Sequence, residues 1–324
     1  MILNSQSEKN YSCSVVIPIF NSEGSLVKLV DQLNLLLPNL CAGYEIILVD
    51  DGSRDGSWEV IKQIAENHSS VFGINLMKNY GQHNATLCGI RQARYEIIIT
   101  LDDDLQHPPM EIPRLLMKLQ QGYDVVYGIP EHEQHGLIRN LSSQITKLAL
   151  KGSMGVEIAR KVSAFRAFRT ELRLAFEHYQ GPFVSIDVLL TWATNNFGAV
   201  TVQHAPRKAG KSNYNFLKLV RHAMNMVTGF SAIPLQFASI LGFGFTLFGF
   251  GVLIYVIGRY LIEGDVSAGF PFLASIIAIF SGAQLFALGI IGEYLSRMHF
   301  RLMDKLPYTV RTNTYNKNEK NTKF

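Results

Sequence analysis

Three consecutive carboxylates, Asp102, Asp103 and Asp104, follow an apolar run at 96–101. Adjacent carboxylates repel one another, so folding gains little from placing them at the end of an apolar strand. A divalent cation removes this repulsion, and hard oxygen ligands suit Mg²⁺ or Mn²⁺, which often complete their shells with substrate phosphates. Because side chains alternate along an extended chain, Asp102 and Asp104 share one side and Asp103 takes the other. We predict a metal at Asp102 and Asp104; a solvated acidic turn is the alternative.

The elements that position these acids alternate between strands and helices. Apolar runs predict five strands, and helical periodicity predicts a helix after each of the first four. The strands are expected at 14–18, 44–49, 71–76, 96–101 and 124–128, and the helices at 25–37, 58–64, 84–93 and 110–120. This order predicts an α/β fold, with a mostly parallel Rossmann-like sheet and helices on both faces. Such sheets bind nucleotides at the carboxyl ends of their strands, where Asp50, Asp51 and the acids at 102–104 all fall.

Two runs near the C-terminus have the length and composition of membrane spans. Neither 232–257 nor 268–291 contains a charged residue. Each exceeds the roughly 20 residues that a helix needs to cross a bilayer, and burial of both in a core is the less favoured alternative. We predict transmembrane helices at about 232–260 and 270–294, within a membrane segment 231–296.

Charges around these spans predict the orientation of the chain. Lys and Arg stand at 207, 208, 211, 218 and 221 before the spans and at 297, 301, 305 and 311 after them. The positive-inside rule therefore predicts a multi-pass protein of the inner (plasma) membrane, with the catalytic domain and both termini cytoplasmic. The polar stretch 1–12 has no apolar core, so no signal peptide is expected. Glycines at 242, 244, 249 and 251 favour close helix packing and a homo-oligomer, either a dimer or a tetramer.

The composition of the chain bears on nucleic-acid binding, on the state of its cysteines and on disorder. Of 324 residues, 48% are hydrophobic and 17% are charged, and the net charge is +4. The basic residues cluster beside the spans rather than among stacking aromatics, which argues against a nucleic-acid partner. Cys13, Cys41 and Cys88 lack metal-ligand spacing, so reduced structural thiols are expected. The tail from Thr312, rich in Asn and Lys, is expected to be disordered.

Four ordered motifs resemble those of family-two inverting glycosyltransferases with the GT-A fold. They are VIPIFN at 16–21, VDDGSRD at 49–55, NYGQ at 79–82 and DDDLQ at 102–106. With the paired spans, they resemble the membrane-bound branch that moves a sugar from a nucleotide onto polyprenyl phosphate, including undecaprenyl-phosphate and dolichyl-phosphate sugar transferases. The resemblance covers residues 12 to about 310. It implies a GT-A domain at 13–206 after a short tail at 1–12, a second tail at 297–324, and a nucleotide sugar and a polyprenyl phosphate lipid as substrates.

In this family, the Pro-x-aromatic-Asn segment and an Asp after the second strand hold the nucleoside. The resemblance implies a nucleotide-binding set of Pro18, Ile19, Phe20, Asn21, Asp50, Asp51, Ser53, Asn79, Gly81, Gln82, Asp102 and Asp103. A carboxylate at 50 or 51 suits the imide of uracil or thymine. Asp102 and Asp104 match the metal motif, whose ion neutralises the departing diphosphate. Core packing is the alternative for Phe20.

A basic cluster at 207–214 precedes the spans. It resembles the family's Arg-x-x-Gly-x-Ser segment, which closes over the diphosphate and the lipid phosphate. Charge-assisted donors suit phosphate, and a glycine allows close backbone approach. The residues so implied are Arg207, Gly210, Lys211, Ser212 and Tyr214. A basic stretch facing lipid headgroups is the alternative, and 207–230 is expected to combine the cluster with an interfacial amphipathic helix.

Two departures from the family pattern bear on the mechanism. Many relatives carry an acid, often proposed as the catalytic base, where this chain has Ala164. A polyprenyl monophosphate is already an anionic nucleophile, so the loss fits a phosphate acceptor better than a hydroxyl. Arg166 is expected to hold that phosphate, with a structural ion pair as the alternative, and Asp187 is the substitute acid. His107, where many relatives have Asp, and His83 stay open between ligand contact and a cap or surface role.

The predicted reaction is an in-line displacement with inversion at the anomeric carbon. The lipid phosphate attacks a UDP-sugar or another nucleotide sugar, and the product is a polyprenyl-phosphate sugar for modification of cell-envelope glycans. The catalytic residues expected are Asp103, Asp104, Arg166 and Asp187. Two rival functions are glycosylation of a lipid hydroxyl such as diacylglycerol, and a non-catalytic nucleotide-binding partner of a sugar flippase or polymerase.

Overall fold

The computed structural model describes residues 11–130, 162–181, 184–203, 233–263, 269–303 and 305–315. The chain divides into two compact units. The first comprises Met1–Asn215 with Lys305–Phe324, and the second comprises Phe216–Asp304. The acidic motifs therefore lie in the first unit and the two apolar runs in the second.

The first unit is built on a mixed sheet of eight strands. The strands are β1 Ser12–Ile19, β2 Gly43–Asp50, β3 Val71–Leu76, β4 Ile97–Thr100, β5 Val125–Pro130, β6 Arg166–Arg169, β7 Phe197–Val202 and β8 Val310–Asn313. Their order across the sheet is β7-β5-β6-β4-β1-β2-β3-β8. The block β4-β1-β2-β3 is parallel, as is the pair β5-β7, whereas β6 and β8 run antiparallel to their neighbours. The predicted mostly parallel sheet is confirmed.

Helices cover both faces of this sheet, as predicted. They are α1 Glu23–Leu40, α2 Ser57–Asn67, α3 Gln82–Gln92, α4 Ile112–Gln120 and α5 Ile186–Thr191, with 3₁₀ helices at Pro109–Glu111 and Thr170–Ala175. Alternate residues of β1 face opposite layers: Val15 and Ile17 join the core that contains the leucines of α1. Val16 faces α3, where a Cβ on Gly89 would collide with its Cγ1. Strands that are buried on both faces are near-continuous apolar runs, which is why they could be recognised in the sequence.

Three strands were not predicted. β6 begins and ends with arginine, β7 is Phe197–Val202 with a glycine at its second position, and β8 is largely polar. The prediction of disorder from Thr312 is wrong for its first residues, because β8 pairs with β3 and Thr314 N donates to Gly73 O at 2.9 Å. Backbone hydrogen bonds hold this edge strand, and its polar sequence gives no indication of them. Residues 316–324 lie outside the described part of the chain.

The second unit contains two long helices, α6 Ile233–Glu263 and α7 Phe270–Leu302. Each includes a segment long and apolar enough to cross a membrane, at Pro234–Arg259 and Ile279–Ser296. The helices contact each other where the rings of Phe245 and Phe280 meet edge to face, with centroids 5.7 Å apart. Large apolar side chains nevertheless remain exposed along both helices. Exposed apolar surface of this extent is typical of helices that lie in lipid or in an interface.

Of the four glycines that predict close packing, one faces the neighbouring helix. A Cβ on Gly249 would lie 3.1 Å from the Phe280 ring. At Gly242, Gly244 and Gly251 no described atom outside the helix backbone lies within 4 Å of the corresponding position. A partner for that surface, and with it the predicted homo-oligomer, stays a prediction.

Candidate active site

The carboxylate cluster stands directly after β4, at the edge where the parallel strands end. Asp102 Oδ1 accepts a hydrogen bond of 2.5 Å from Gln82 Nε2 at the start of α3. Burial, the largest cause, and the negative charges of Asp104 and Asp103 together raise the pKa of Asp102 to about 7. Burial and like charges both disfavour the ionised carboxylate, whereas a cation bound beside it would favour the ionised form.

Asp103 contacts the loop after β1. Its Oδ2 accepts hydrogen bonds from the backbone N–H of Phe20 at 3.2 Å and from Ser22 Oγ at 2.6 Å. Burial raises the pKa of this carboxyl group, and the two donors oppose the rise. Asp103 therefore ties the end of β4 to the segment that is predicted to hold the nucleoside.

Asp104 is held within its own turn. Gln106 donates to it twice, from its backbone N–H at 3.0 Å and from Nε2 at 2.7 Å. Leu105 between them has a positive φ of 58°, an uncommon conformation for a residue with a side chain. Strained backbone of this kind is concentrated at functional sites. The turn after Asp104 is therefore a fixed structure and not a loose acidic loop.

These residues fit a divalent cation. Across the ranges described here there is no group of three or more His, Cys, Asp or Glu side chains arranged around a common point. Asp102 and Asp104 would therefore supply two carboxylate ligands, and substrate phosphates and water would complete the shell, as is usual for Mg²⁺. Each carboxylate oxygen has a second lone pair, so the hydrogen bonds from Gln82 and Gln106 leave coordination possible.

The second acidic pair holds neighbouring loops in place. Asp51 accepts hydrogen bonds from the backbone N–H groups of Tyr80 at 2.7 Å and Gly81 at 2.8 Å. Asp50 accepts one from Ser53 N at 3.1 Å and one from Asn75 Nδ2 at 2.9 Å. Both side chains are buried, and burial raises the pKa of Asp51 to about 6. Direct contact between either carboxylate and a nucleoside stays a prediction.

The loops that carry the predicted nucleoside-binding residues are in close contact. Gly52 has a positive φ of 68°, and a Cβ there would lie 2.6 Å from the backbone carbonyl carbon of Lys78. Only glycine allows this approach, which brings the segment after β2 against the segment that contains Asn79. Asn21 completes the arrangement, because its N–H donates to Ser53 Oγ at 3.0 Å and its Oδ1 accepts from Arg54 N at 2.8 Å.

The first predicted segment divides into core and surface. Ile19 is fully buried in β1, so its side chain serves the core. The side chain of Phe20 is 46% exposed, which rules out core packing as its main role. An exposed aromatic ring beside the acidic cluster is suited to contact with a flat nucleobase.

A cavity of about 250 Å³ opens beside Asp102. It is lined by Pro18, Gln82, His83, Thr86, Thr100, Leu101, Asp102, Val162, Ser163, Ala164, Arg166 and Asp187. Four parts of the chain therefore line the same cavity: the segment predicted to hold the nucleoside, the acidic motif, the start of α3 and the segment with Ala164. Ala164, the position at which the family resemblance implies an acid, lines this cavity.

Arg166 and Asp187 form a buried ion pair in the wall of this cavity. Arg166 Nη1 donates to Asp187 Oδ1, and Arg166 Nε donates to Thr100 Oγ1 at 3.1 Å. Tyr127 OH donates to the same Asp187 oxygen at 3.1 Å. The ion pair that was the alternative prediction for Arg166 is therefore present. Phosphate binding by Arg166, or a base role for Asp187, would have to occur while the two side chains remain paired.

The structure also adds residues that were not predicted. Ser22, Thr100 and Tyr127 position the acids or the ion pair, yet single hydroxyl groups in the sequence carry no signal of that role. His107 stacks on Phe165, with ring centroids 5.3 Å apart, whereas His83 lines the cavity. All three cysteines are free and buried, as predicted. The predicted phosphate-binding residues Arg207, Gly210, Lys211, Ser212 and Tyr214 lie outside the described residues.

Comparison with known proteins agrees with this geometry. The family model for glycosyl transferase family 2 matches residues 14–176. The undecaprenyl-phosphate 4-deoxy-4-formamido-L-arabinose transferase of Shewanella sediminis is 36% identical over 302 residues, which cover 92% of this chain and 91% of the relative. The enzyme of the same name from Pseudomonas aeruginosa is 37% identical over 289 residues, 88% of this chain and 85% of its own.

A solved structure is similar in fold. Glucosyl-3-phosphoglycerate synthase from Mycobacterium tuberculosis, crystallised with Mn²⁺ and UDP-glucose, superposes with a TM-score of 0.51 at 19% identity. The match covers 68% of this chain and 77% of that one. With the family match and the nearly full-length relatives, it shows that the chain belongs to glycosyl transferase family 2 and is a glycosyltransferase with the GT-A fold.

Proposed function

We propose that this chain transfers a sugar from a UDP-sugar, or another nucleotide sugar, to undecaprenyl phosphate with inversion at the anomeric carbon. The observation that carries the proposal is the cavity lined by Asp102, Ala164 and Arg166, which has charged groups suited to phosphate chemistry but no acid at residue 164. The name of the relatives, which match this chain from its sheet through its apolar helices, supports the same acceptor.

The donor half of the site is assembled from loops that the acids fix. Asp103 orients the backbone of Phe20, and Asp51 orients Tyr80 and Gly81, so the nucleoside would enter a preformed cleft. A divalent ion bound by Asp102 and Asp104 would supply stabilisation of the negative charge on the leaving diphosphate. Glucosyl-3-phosphoglycerate synthase, which was crystallised with Mn²⁺ and UDP-glucose, shares this fold. Mg²⁺ and Mn²⁺ are both compatible with the oxygen ligands.

The acceptor half of the site explains how the reaction proceeds without a base at residue 164. A phosphate monoester has a second pKa near 6 and carries a nucleophilic oxygen anion at neutral pH, so no side chain has to remove a proton. A small side chain at this position leaves room for that oxygen to approach the anomeric carbon in line. The positive charge of Arg166 lies in the wall of the same cavity. The basic cluster at 207–212 would supply further charge-assisted donors to the phosphates.

The proposed setting is the cytoplasmic face of the inner membrane. The helices α6 and α7 would span the bilayer, and the Lys and Arg residues on their flanks favour cytoplasmic termini. The first unit would then meet a lipid substrate at the surface where its phosphate is exposed. Assembly into a dimer or tetramer through the glycine-rich face of α6 is part of the same proposal.

The identity of the acceptor distinguishes the proposed function from glycosylation of a lipid hydroxyl. The full-length chain in nanodiscs is given nucleotide sugars, beginning with UDP-4-deoxy-4-formamido-L-arabinose and UDP-glucose, together with either undecaprenyl phosphate or diacylglycerol. We expect a glycosylated product, detected by mass spectrometry, from the phosphate alone. Product from diacylglycerol would establish a glycolipid synthase instead. Nucleotide binding without turnover of any donor would favour the non-catalytic alternative.

A further inference from the structure

The segment Lys305–Tyr315, here called the C-terminal strap, follows the second apolar helix in the chain yet belongs to the first unit. Within it, β8 adds an antiparallel edge to β3, with Leu76 opposite Val310 and Ile74 opposite Asn313. The pairing is irregular between Asn75 and Leu76, just before the site. The strap is thus built into the sheet that carries the active site.

Beyond the end of β3 the strap continues to hold the chain. Met77 N donates to Thr309 O at 2.9 Å, and Arg311 Nη2 donates to Met77 O at 2.9 Å. Both backbone polar groups of Met77 are therefore bound by the strap. Met77 is the first residue of the segment 77–82, here called the donor loop, which contains the predicted nucleotide-binding residues Asn79, Gly81 and Gln82.

The donor loop is also held at its other end. Asp51 binds the N–H groups of Tyr80 and Gly81, and Gln82 donates to Asp102. Between the two ends, Lys78 lies against Gly52. Contacts at five residues of the donor loop thus connect Arg311 with Asp102, a predicted metal ligand.

We propose that the C-terminal strap is a positioning element for the nucleotide-sugar donor, and that Arg311 acts by fixing Met77 at the root of the donor loop. The expected effect on donor kinetics rests on the proposed function, whereas the expected effect on the structure of the donor loop does not. Arg311 is exposed and touches no substrate-binding side chain in the described part of the chain, so its effect is indirect. It should change binding of the donor and leave the lipid acceptor unaffected.

The strap itself provides a matched control. Thr314 lies at the opposite end of the same edge, where its Oγ1 accepts a hydrogen bond of 2.8 Å from Gly73 N. Thr314→Val removes that acceptor with little change in shape, far from the donor loop along β3. Both Thr314→Val and Arg311→Ala weaken attachment of the strap, but only the second removes a hydrogen bond to Met77.

The first measurement is hydrogen–deuterium exchange of the full-length chain in nanodiscs. Arg311→Ala should speed exchange in peptides that cover 77–82, whereas Thr314→Val should speed it only around Gly73. Arg311→Lys keeps a charged donor and should restore most of the protection. Equal effects of Arg311→Ala and Thr314→Val on the donor loop, or no effect of either, would overturn the proposal whether or not the chain is an undecaprenyl-phosphate transferase.

The second measurement is steady-state kinetics with the donor that the wild-type chain uses. Loss of a charged hydrogen bond to a backbone carbonyl should raise KM for the nucleotide sugar about fivefold. The kcat and the KM for undecaprenyl phosphate should stay within about twofold of wild type. A change confined to kcat or to the lipid KM would overturn the positioning role. If the wild-type chain turns over no donor, the proposed function fails, and the exchange experiment still decides the role of the strap.

Discussion

At the scale of residues, the site depends on a division of work among acids that look equivalent in the sequence. Asp103 and Asp51 each accept two hydrogen bonds that fix loops, whereas Asp102 stands at the cavity with its pKa raised to about 7 by burial and by neighbouring carboxylates. Asp104 is held by Gln106 within a strained turn. The residue types were predictable, but the loop fixation by Asp103 and Asp51 depends on contacts between residues at least 29 positions apart.

Replacement of a single predicted metal ligand tests this division. Asp104→Asn keeps the size of the side chain and removes the charge, so we expect loss of transfer by at least about 100-fold with the fold preserved. Asp31→Asn, an identical change on the exposed surface of α1, should leave the rate unchanged. Rates are measured from release of nucleotide, and thermal unfolding checks the fold. A fully active Asp104→Asn variant would contradict the assignment.

The buried pair of Arg166 and Asp187 makes a separate prediction about stability. Arg166→Met leaves the Asp187 carboxylate buried without its counter-charge and should lower the free energy of unfolding by about 3–5 kcal/mol. The double variant Arg166→Met with Asp187→Leu should lose less than the sum of the two single variants, because no unpaired charge remains. Denaturant unfolding of the full chain in detergent gives these values. Strictly additive losses would show that the two side chains do not depend on each other.

At the scale of elements, the sequence was sufficient where strands are buried on both faces. Strands β1 to β5 appear as apolar runs because most side chains on them are buried. β6 was missed since Arg166 is charged, although the ion pair with Asp187 makes its burial possible. β8 was missed since a polar edge strand gains its stability from backbone hydrogen bonds to β3. Both β6 and β8 thus depend on partners distant in the chain.

Close packing of α3 on the sheet gives a test at this scale. Gly89→Ala would place a methyl group against Val16 and Val49 in β1 and β2, so we expect a loss of about 1–3 kcal/mol from overpacking. The matched substitution Gly24→Ala in α1 meets nothing within 4 Å, so it should be neutral or stabilise the protein slightly. Thermal unfolding of both variants makes the comparison. Equal stability of the two would show that α3 can move away from the sheet.

At the scale of the whole molecule, the chain combines the eight-stranded sheet of a GT-A glycosyltransferase with two helices that are long and apolar enough to cross a membrane. The relative from Shewanella sediminis matches 92% of the chain, so it shares both parts and not the sheet alone. A glycosyltransferase whose acceptor is a membrane lipid needs this combination, because one substrate is soluble and the other is confined to the bilayer.

The central claim is inverting transfer to a lipid phosphate, and the configuration of the product tests it most directly. The wild-type chain in nanodiscs is incubated with undecaprenyl phosphate and the donor that it uses, and the lipid product is examined by proton and phosphorus NMR. We predict a sugar joined through one phosphate, with an anomeric configuration opposite to that of the donor. A product with the donor's configuration, or release of nucleotide with no sugar on the lipid phosphate, would contradict the account.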